Sequence, residues 1–426
     1  MSQIEDHPLR YKLANELHAR PFPAMAAPCT AAFIAIKQAG RAAVRDRAKD
    51  LAHLVDLLDR HGAPHPQPEA THYYGQIGKS WLKWEQHTEF VTYTVFSEGL
   101  DERPFDAASF AAFPSDWLAD APGQRITSVL LRIEKTDDRD HVAARLKKWF
   151  VPESLAVSSV LDDAAVVAGD FRIDSAGHQR FAVFAQSKTG GRRVGRIAQR
   201  LCEIETYKAM SMLGFAHARE MGGQLNTLDS QLTELMGNMS SNEAGAEATL
   251  HDLLTIASEL ETLSARGSFR FGATGAYAAI VNQRIEALRE ERFEGRQSFA
   301  EFMMRRYEPA MRTVKSAELR LEAMSSRSIR AGNLLRTRVD VERSAQNQAL
   351  LTSMDRRADQ QLHLQRTVEG LSVVAISYYA VSLVGYLIYP LGDMTGLSKG
   401  MMTALITLPV VALVWVILRR VQRQKN

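Results

Sequence analysis

Two uncharged apolar stretches near the C-terminus decide the fold: Gly370–Leu391 (GLSVVAISYYAVSLVGYLIYPL) and Gly400–Leu418 (GMMTALITLPVVALVWVIL). They contain 22 and 19 residues, and a helix needs about 20 apolar residues to cross a bilayer core of about 30 Å. The link at 392–399 (GDMTGLSK) is short and rich in turn formers. The sequence therefore predicts a hairpin of two transmembrane helices, 370–391 and 401–418, joined by an external loop at 392–400. Two buried core helices are the alternative, although buried helices of soluble proteins seldom lack every charge over this length.

Basic residues flank both ends of the predicted hairpin. They are Arg356, Arg357 and Arg366 before the first span, and Arg419, Arg420, Arg423 and Lys425 after the second. The positive-inside rule places such segments in the cytoplasm. We therefore expect a protein of the bacterial inner (plasma) membrane with both termini cytoplasmic. The basic tail, 419–426, is expected to contact anionic lipid headgroups, with roughly 1 kcal/mol for each basic residue near the surface.

The remainder of the chain has the composition of an ordinary intracellular protein. All 426 residues together carry a net charge of +3, which is too small to indicate a nucleic-acid partner. Two cysteines, Cys29 and Cys202, exclude a disulfide framework. Residues 370–426 nevertheless hold five basic side chains and one acidic one. Positive charge therefore gathers where the surface of a membrane is negative.

Residues 1–190 are predicted to form a cytoplasmic α/β layered domain. Short runs that alternate apolar with polar residues, or are continuously apolar and rich in Val, Thr, Tyr and Trp, are typical of strands. The predicted strands are 30–37, 72–84, 89–97, 125–134, 155–160, 164–173 and 180–186. Helices are predicted at 41–60 and 140–150 between them. This order of elements favours a layered sheet-and-helix domain.

Residues 191–369 are predicted to form a helical stalk region, because apolar residues recur there every three or four positions. Breaks are expected at 240–243 and at three glycines, Gly267, Gly272 and Gly275, and 279–306 is expected to continue as helix. From 310 to 368 there is no proline and a single glycine, which predicts one long helix that runs into the first span. Its loose apolar stripe favours a coiled coil in a homo-oligomer, although polar residues interrupt the stripe. The predicted fold class is thus an α+β membrane protein.

Five short motifs resemble a bacterial family known only as a domain of unknown function, number 3422. They are 17–21 (LHARP), 203–207 (EIETY), 346–351 (QNQALL), 353–357 (SMDRR) and 367–372 (TVEGLS). These motifs are spread over nearly the whole chain, so the resemblance is full-length. The family has no assigned activity, and the resemblance therefore implies none for this chain.

The order of parts also resembles the CorA-type magnesium transporters. These proteins combine an α/β cytoplasmic domain, a long helix that becomes the first span, a short loop, and a second span with a basic tail. The resemblance implies a pentamer around the first span, a divalent cation as partner, and a Gly-Met-Asn motif at the outer end. Residues 389–394 read YPLGDM here, so that motif is absent. Two functions stay open: a non-catalytic membrane-anchored scaffold or regulatory module, and a CorA-like divalent-cation channel or transporter with a non-standard filter.

One face of the first span supplies the candidate site residues. They are Ala375, Tyr378, Ser382, Gly385 and Tyr389, with Asp393 at the outer mouth. Small and hydroxyl-bearing residues on one face can line a pore, and they can equally form a close helix-packing face.

Neither cysteine has a neighbouring histidine, and no nucleophile elbow or zinc spacing occurs in the sequence. We therefore expect no enzyme, no cofactor and no resident metal.

Overall fold

A computed structural model describes residues 4–16, 22–40, 45–241, 245–395 and 398–423. Its strands are β1 Cys29–Lys37, β2 His72–Ile77, β3 Ser80–Gln86, β4 Phe90–Glu98, β5 Gln124–Lys135, β6 Ala156–Val160, β7 Ala165–Gly169, β8 Gln179–Ala185 and β9 Glu291–Arg292. Its α-helices are α1 Arg10–Glu16, α2 Arg47–Arg60, α3 Ser115–Ala119, α4 Arg139–Trp149, α5 Gly191–Ser241, α6 Ala246–Glu286, α7 Phe299–Arg306, α8 Glu308–Thr395 and α9 Lys399–Arg423.

The described strands form one sheet in the order β2-β3-β4-β1-β5-β8-β7-β6-β9. Strand β1 lies at its centre and pairs antiparallel with β4 and with β5. Strands β5 and β8 are parallel, whereas the other pairs are antiparallel. Each predicted strand overlaps a strand of the structure, although the one predicted at 164–173 ends at Gly169, and the result is a mixed sheet in an α+β fold.

Helices cover both faces of the sheet because both faces carry buried apolar side chains. On one face, Leu201 of α5, Val281 of α6 and Phe299 of α7 join the apolar side chains of β1 and of β5 to β8. On the other face, Leu54 and neighbouring leucines of α2 pack on β1, β3 and β4. Helix α4 packs on β6 to β8 of that same face. The sheet is thus the middle layer of three.

The segment predicted as a single strand over 72–84 is two strands, β2 and β3, joined by a tight turn. Gly78 takes a φ of +56° in that turn, a conformation that glycine adopts without steric penalty. The pairing of Ile77 with Ser80 closes the hairpin. Alternation continues on both sides of the turn, so the period of the apolar residues did not reveal it.

The expected helix breaks at Gly267, Gly272 and Gly275 are wrong, because α6 runs through all three. A glycine inside a helix costs about 1 kcal/mol relative to alanine, which packing readily offsets. The Phe271 ring of the same helix packs directly over Gly267, where an added Cβ would lie 2.9 Å from it. The prediction that 279–306 continues as helix is also wrong. Helix α6 ends at Glu286, and β9 pairs with β6 before α7 begins.

Helix α8 is the long helix that the sequence predicts, and it continues through the first apolar stretch. The chain divides into two compact units, residues 1–244 with 251–331 and residues 245–250 with 332–426. The apolar stripe of α8 is buried at Leu335 and Val339 but exposed at Leu350. The predicted external loop, 392–400, is helical at both of its ends, since α8 reaches Thr395 and α9 begins at Lys399.

Candidate functional site

The C-terminal hairpin, α9 with the part of α8 from residue 370 onward, presents apolar side chains outward. In each of the two helices, an uncharged apolar window is long enough to cross a membrane, and 11% of that window is buried. Leu383 of α8 is 64% exposed and Leu408 of α9 is 80% exposed. A helix in a soluble core has its apolar face covered. By length and composition, both helices could therefore cross a membrane.

A groove of about 510 Å³ runs between α8 and α9. Valines line it together with five hydroxyl-bearing residues, Ser377, Tyr378, Ser382, Thr403 and Thr407. Ser377 is buried, and its Oγ has no hydrogen-bond partner in the described part of the chain. The hydroxyl of Thr407 donates to the Thr403 carbonyl oxygen at 2.6 Å. Small and hydroxyl-bearing residues of this kind favour close packing of membrane helices.

The residues of the predicted pore or packing face differ in their exposure to solvent. Ser382 is half-buried and Gly385 is buried, whereas Ala375 and Tyr378 are exposed. The side chains of the other two predicted residues, Tyr389 and Asp393, lie outside the described part of the chain. The buried Ser377 was not among the predicted residues, nor were Thr403 and Thr407. The four-residue spacing of the two threonines along the second span was the available signal.

The basic residues after the second span were predicted to meet lipid headgroups. Arg419 and Arg420 are exposed, and the Arg419 guanidinium lies 4.7 Å from the centroid of the Trp415 ring. A guanidinium over an indole face is a favourable cation–π contact. The side chains of Arg423 and Lys425 lie outside the described residues. Trp415 is half-exposed, and an amphipathic indole suits the membrane–water interface.

A buried carboxylate, Glu89, anchors α6 to the sheet in the first unit. Glu89 is 2% exposed and accepts hydrogen bonds from Arg270 at 2.5 Å and from the Tyr277 hydroxyl at 2.9 Å. Burial, with the Glu89 charge as a second cause, raises the pKa of Tyr277 well above its ordinary value. The Tyr277 ring stacks on Tyr207 of α5, with 5.6 Å between centroids. The ion pair and the Tyr277 hydroxyl thus hold α6 to the end of a strand, and the stacked tyrosine rings connect α6 to α5.

Glu203, the first residue of the EIETY motif, connects three elements. Its carboxylate accepts from Gln199 at 2.7 Å and from Arg284 of α6. Gln199 in turn accepts from the ammonium group of Lys83 on β3, also at 2.7 Å. This chain of polar contacts crosses from the sheet through α5 to α6.

Glu205 of the same motif is 1% exposed and faces the sheet. It accepts from Gln179 of β8 at 2.6 Å and from Thr127 of β5 at 3.3 Å. Lys208 supplies the neutralising charge at 2.7 Å. Ile204 between the two glutamates is fully buried. EIETY, one of the five motifs behind the family resemblance, therefore fastens α5 to the sheet.

A small cavity of about 30 Å³ lies between α5 and strands β1, β3 and β4. Such a volume holds one or two water molecules, which is too little for a substrate.

Cys202 lines this cavity, and burial raises the pKa of its thiol far above the ordinary value. Burial also raises the pKa of Cys29 to about 12. Neither sulfur is a thiolate near neutral pH. In the described ranges, no three His, Cys, Asp or Glu side chains come together as a metal site.

One protein-family profile matches residues 5–425 of the chain. The family is described as a protein of unknown function (DUF3422). No curated protein and no solved structure matches the chain. The match covers the sheet, the long helix and the hairpin alike, whereas the CorA-like organisation stays a prediction.

Proposed function

We propose that this chain, which belongs to the DUF3422 family of proteins of unknown function, is a membrane-anchored, non-catalytic scaffold or regulatory module. The hairpin of α8 and α9 crosses the bacterial inner membrane twice. The sheet-containing unit is cytoplasmic and offers its surface to other components. Both chain ends lie on the cytoplasmic side, because the arginines that flank the hairpin favour that side.

The observation that carries this proposal is the outward exposure of large apolar side chains along the hairpin. Eight of them are more than 60% exposed: Leu371, Val374, Leu383, Leu387, Met401, Leu405, Leu408 and Leu413. Removing one such side chain from water contributes roughly 1.5–3 kcal/mol. Leaving all eight in water would forgo roughly 12–24 kcal/mol, which is comparable to or larger than the 5–15 kcal/mol stability of a typical protein. A bilayer removes this penalty.

The polar residues of the hairpin are compatible with a lipid surrounding. The groove hydroxyls lie between the helices, and the threonines satisfy their hydroxyls with carbonyl oxygens four residues earlier, as Thr403 does with Lys399 at 2.9 Å. Apart from the bond that Pro409 cannot donate, the backbone of each helix can pair its polar groups within the helix, which a bilayer core requires. Pro409 in α9 is a residue that transmembrane helices tolerate better than soluble ones.

A cation pathway is the second candidate function. The hydroxyls of Ser377, Ser382 and Thr403 in the groove favour it, because hydroxyl oxygens can replace part of the water around an ion. Divalent-cation flux into liposomes that contain the full chain, lost in Ser382→Leu, would support a channel over a tether.

Alkaline extraction of membranes from bacteria that express the full chain tests the anchoring. We expect the chain to stay in the membrane pellet at high pH and to be released by detergent, because apolar contacts with lipid do not depend on ionisation. Release at high pH without detergent would contradict membrane insertion.

Self-association through α8 is a second part of the proposal. Every residue from 340 to 368 is exposed, and an isolated helix in water is marginally stable. At 100° per residue, Leu350, Leu351, Met354, Leu362 and Val368 fall within about one third of the helix circumference. This apolar stripe suits the corresponding stripe of a second copy, as in a coiled coil.

We expect Leu351→Arg with Leu362→Arg to separate the copies. The arginines on the stripe of one helix would face the arginines on the stripe of the other, and their like charges would repel. The contact would also lose the burial of four leucine side chains, two from each copy. Light scattering of the detergent-solubilised full chain should report an oligomer for the native protein and a monomer for the variant. An unchanged mass, or a monomeric native protein, would contradict contact through this stripe.

A further inference from the structure

The beginning of α5 and the end of α6 frame an open groove of about 550 Å³ in the first unit. Four of the side chains that line it are arginines, Arg193, Arg196, Arg200 and Arg289. The first three are separated by three and four residues, so they share one face of α5. Of the described residues that line this arginine groove, Glu286 alone is a carboxylate. The groove therefore carries a large excess of positive charge.

The arginines differ in what they contact. Arg200 donates from Nη1 to the Ala287 carbonyl oxygen at 2.7 Å, and Arg289 pairs with Asp162 at 2.6 Å. For Arg193 and Arg196, no side-chain hydrogen bond or ion pair is found to any described residue. Their guanidinium groups are free to bind a ligand.

Some arginines on α6 and α8 of this unit pair with carboxylates, in contrast to Arg193 and Arg196. Arg284 pairs with Glu203. Arg320 and Arg327 both pair with Asp229, at 2.7 and 3.0 Å. Helices gain modest stability from such pairing, and of these three arginines Arg284 is the one next to the groove-lining residues Gln283 and Glu286.

The positive charges in the groove oppose one another. Burial lowers the pKa of the Arg200 guanidinium, and Arg196 lowers it further, against the opposite effect of Glu203. A bound anion would relieve this repulsion, because it would place a negative charge beside arginines that have no carboxylate partner.

The start of α5 adds to the attraction for anions. The helix begins at Gly191 and is 51 residues long, and the first amides of a helix point toward its N-terminus with partial positive charge. Helical side chains tilt toward the N-terminus, so Arg193 and Arg196 lean toward that same end. A Cβ added at Gly190 would meet nothing within 4 Å, which leaves the backbone there open to a ligand.

We propose that the arginine groove binds a soluble compound that carries two or more phosphate groups. A guanidinium group presents paired N–H donors that match phosphate oxygens in a bidentate manner, and several arginines suit a ligand of several charges. The groove volume falls within the usual range for small-molecule sites, about 300–1,000 Å³. This proposal goes beyond membrane anchoring and does not depend on it.

Calorimetric titration of the detergent-solubilised full chain with inorganic pyrophosphate tests the proposal. We expect saturable binding that weakens about tenfold or more in Arg193→Gln and in Arg196→Gln, since each loses charge-assisted hydrogen bonds. Arg192→Gln is the matched control, because Arg192 is adjacent in sequence and exposed but does not line the groove. It should bind as the native chain does. Circular dichroism of each variant shows whether it is folded.

Three results would overturn the proposal. The first is that pyrophosphate does not bind the native chain. The second is that the folded Arg193→Gln and Arg196→Gln variants bind pyrophosphate as tightly as the native chain does. The third is that Arg192→Gln loses as much affinity as those two variants. A binding experiment with lipid vesicles distinguishes a soluble phosphate compound from a lipid headgroup. Binding of the full chain to phosphatidylglycerol vesicles through Arg193 and Arg196, with no binding of pyrophosphate, would mean that the groove takes a lipid headgroup and not a soluble ligand.

Discussion

Leu383→Arg combined with Leu408→Arg is expected to remove the chain from the membrane fraction. Both leucines lie near the middle of the two apolar stretches, and both are exposed on the hairpin. An arginine at the centre of a transmembrane helix costs about 2.5–3.5 kcal/mol on insertion scales. Two such costs amount to far more than the 1.4 kcal/mol that corresponds to a factor of ten. The fraction that resists alkaline extraction should therefore fall at least about tenfold.

The matched control is Leu351→Arg with Leu362→Arg, the same pair of changes placed outside the hairpin on α8. Leu351 is as exposed as Leu383, at 64%, and Leu362 is exposed as Leu408 is, at 52% against 80%, so the main difference between the two variants is position along the chain. The control should stay in the membrane pellet even though it loses self-association. Equal retention of both variants would mean that lipid does not surround Leu383 and Leu408.

Glu89→Gln is expected to destabilise the sheet-containing unit by about 3–5 kcal/mol, because it leaves the Arg270 charge buried without its counter-ion. Arg270 has a side chain that is 15% exposed, and the Glu89 side chain is 1% exposed. Thermal unfolding of the detergent-solubilised full chain, followed by circular dichroism, should show a melting temperature lower by roughly 5–10 °C.

Two further variants show whether the loss comes from the uncompensated charge. Asp116→Asn breaks the ion pair with Arg60 on the surface of the same unit, and exposed pairs contribute little, so its melting temperature should stay close to native. Glu89→Gln with Arg270→Gln removes both charges and should unfold at a higher temperature than Glu89→Gln alone. A melting temperature for Glu89→Gln that equals the native value would contradict the anchoring role of this pair.

The elements of this fold could be predicted from the sequence to a large extent, because each strand and helix has its own period of apolar residues. The pairing of elements could not. Strand β8 lies parallel beside β5, with α4 and two strands between them in the chain, and nothing in either strand's pattern specifies that neighbour. The turn at Gly78 and the uninterrupted path of α6 through Gly267 depend on local packing, which the order of residue types does not contain.

The candidate sites were predictable to a lesser degree. The period of the first span identifies one polar face, but the phase of that face relative to α9 depends on both helices. Ser377 is therefore buried while Tyr378 is exposed. The arginine groove needs Arg289, which is far in sequence from Arg193 and Arg196 and approaches them through the folding of α6 against α5. EIETY is one of the five motifs behind the family resemblance, yet the roles of Glu203 and Glu205 became visible only with their partners on the sheet and on α6.

The central claim is that the hairpin crosses the membrane twice, with the turn outside and α8 beginning in the cytoplasm. Labelling with a membrane-impermeant maleimide tests it most directly, on Ser398→Cys and Ser353→Cys made separately in a chain with Cys29→Ala and Cys202→Ala. Both serines are exposed. We expect Ser398→Cys to react in intact spheroplasts and Ser353→Cys to react only after the membrane is opened. Reaction of Ser353→Cys in intact spheroplasts, or none of Ser398→Cys until they are opened, would contradict it.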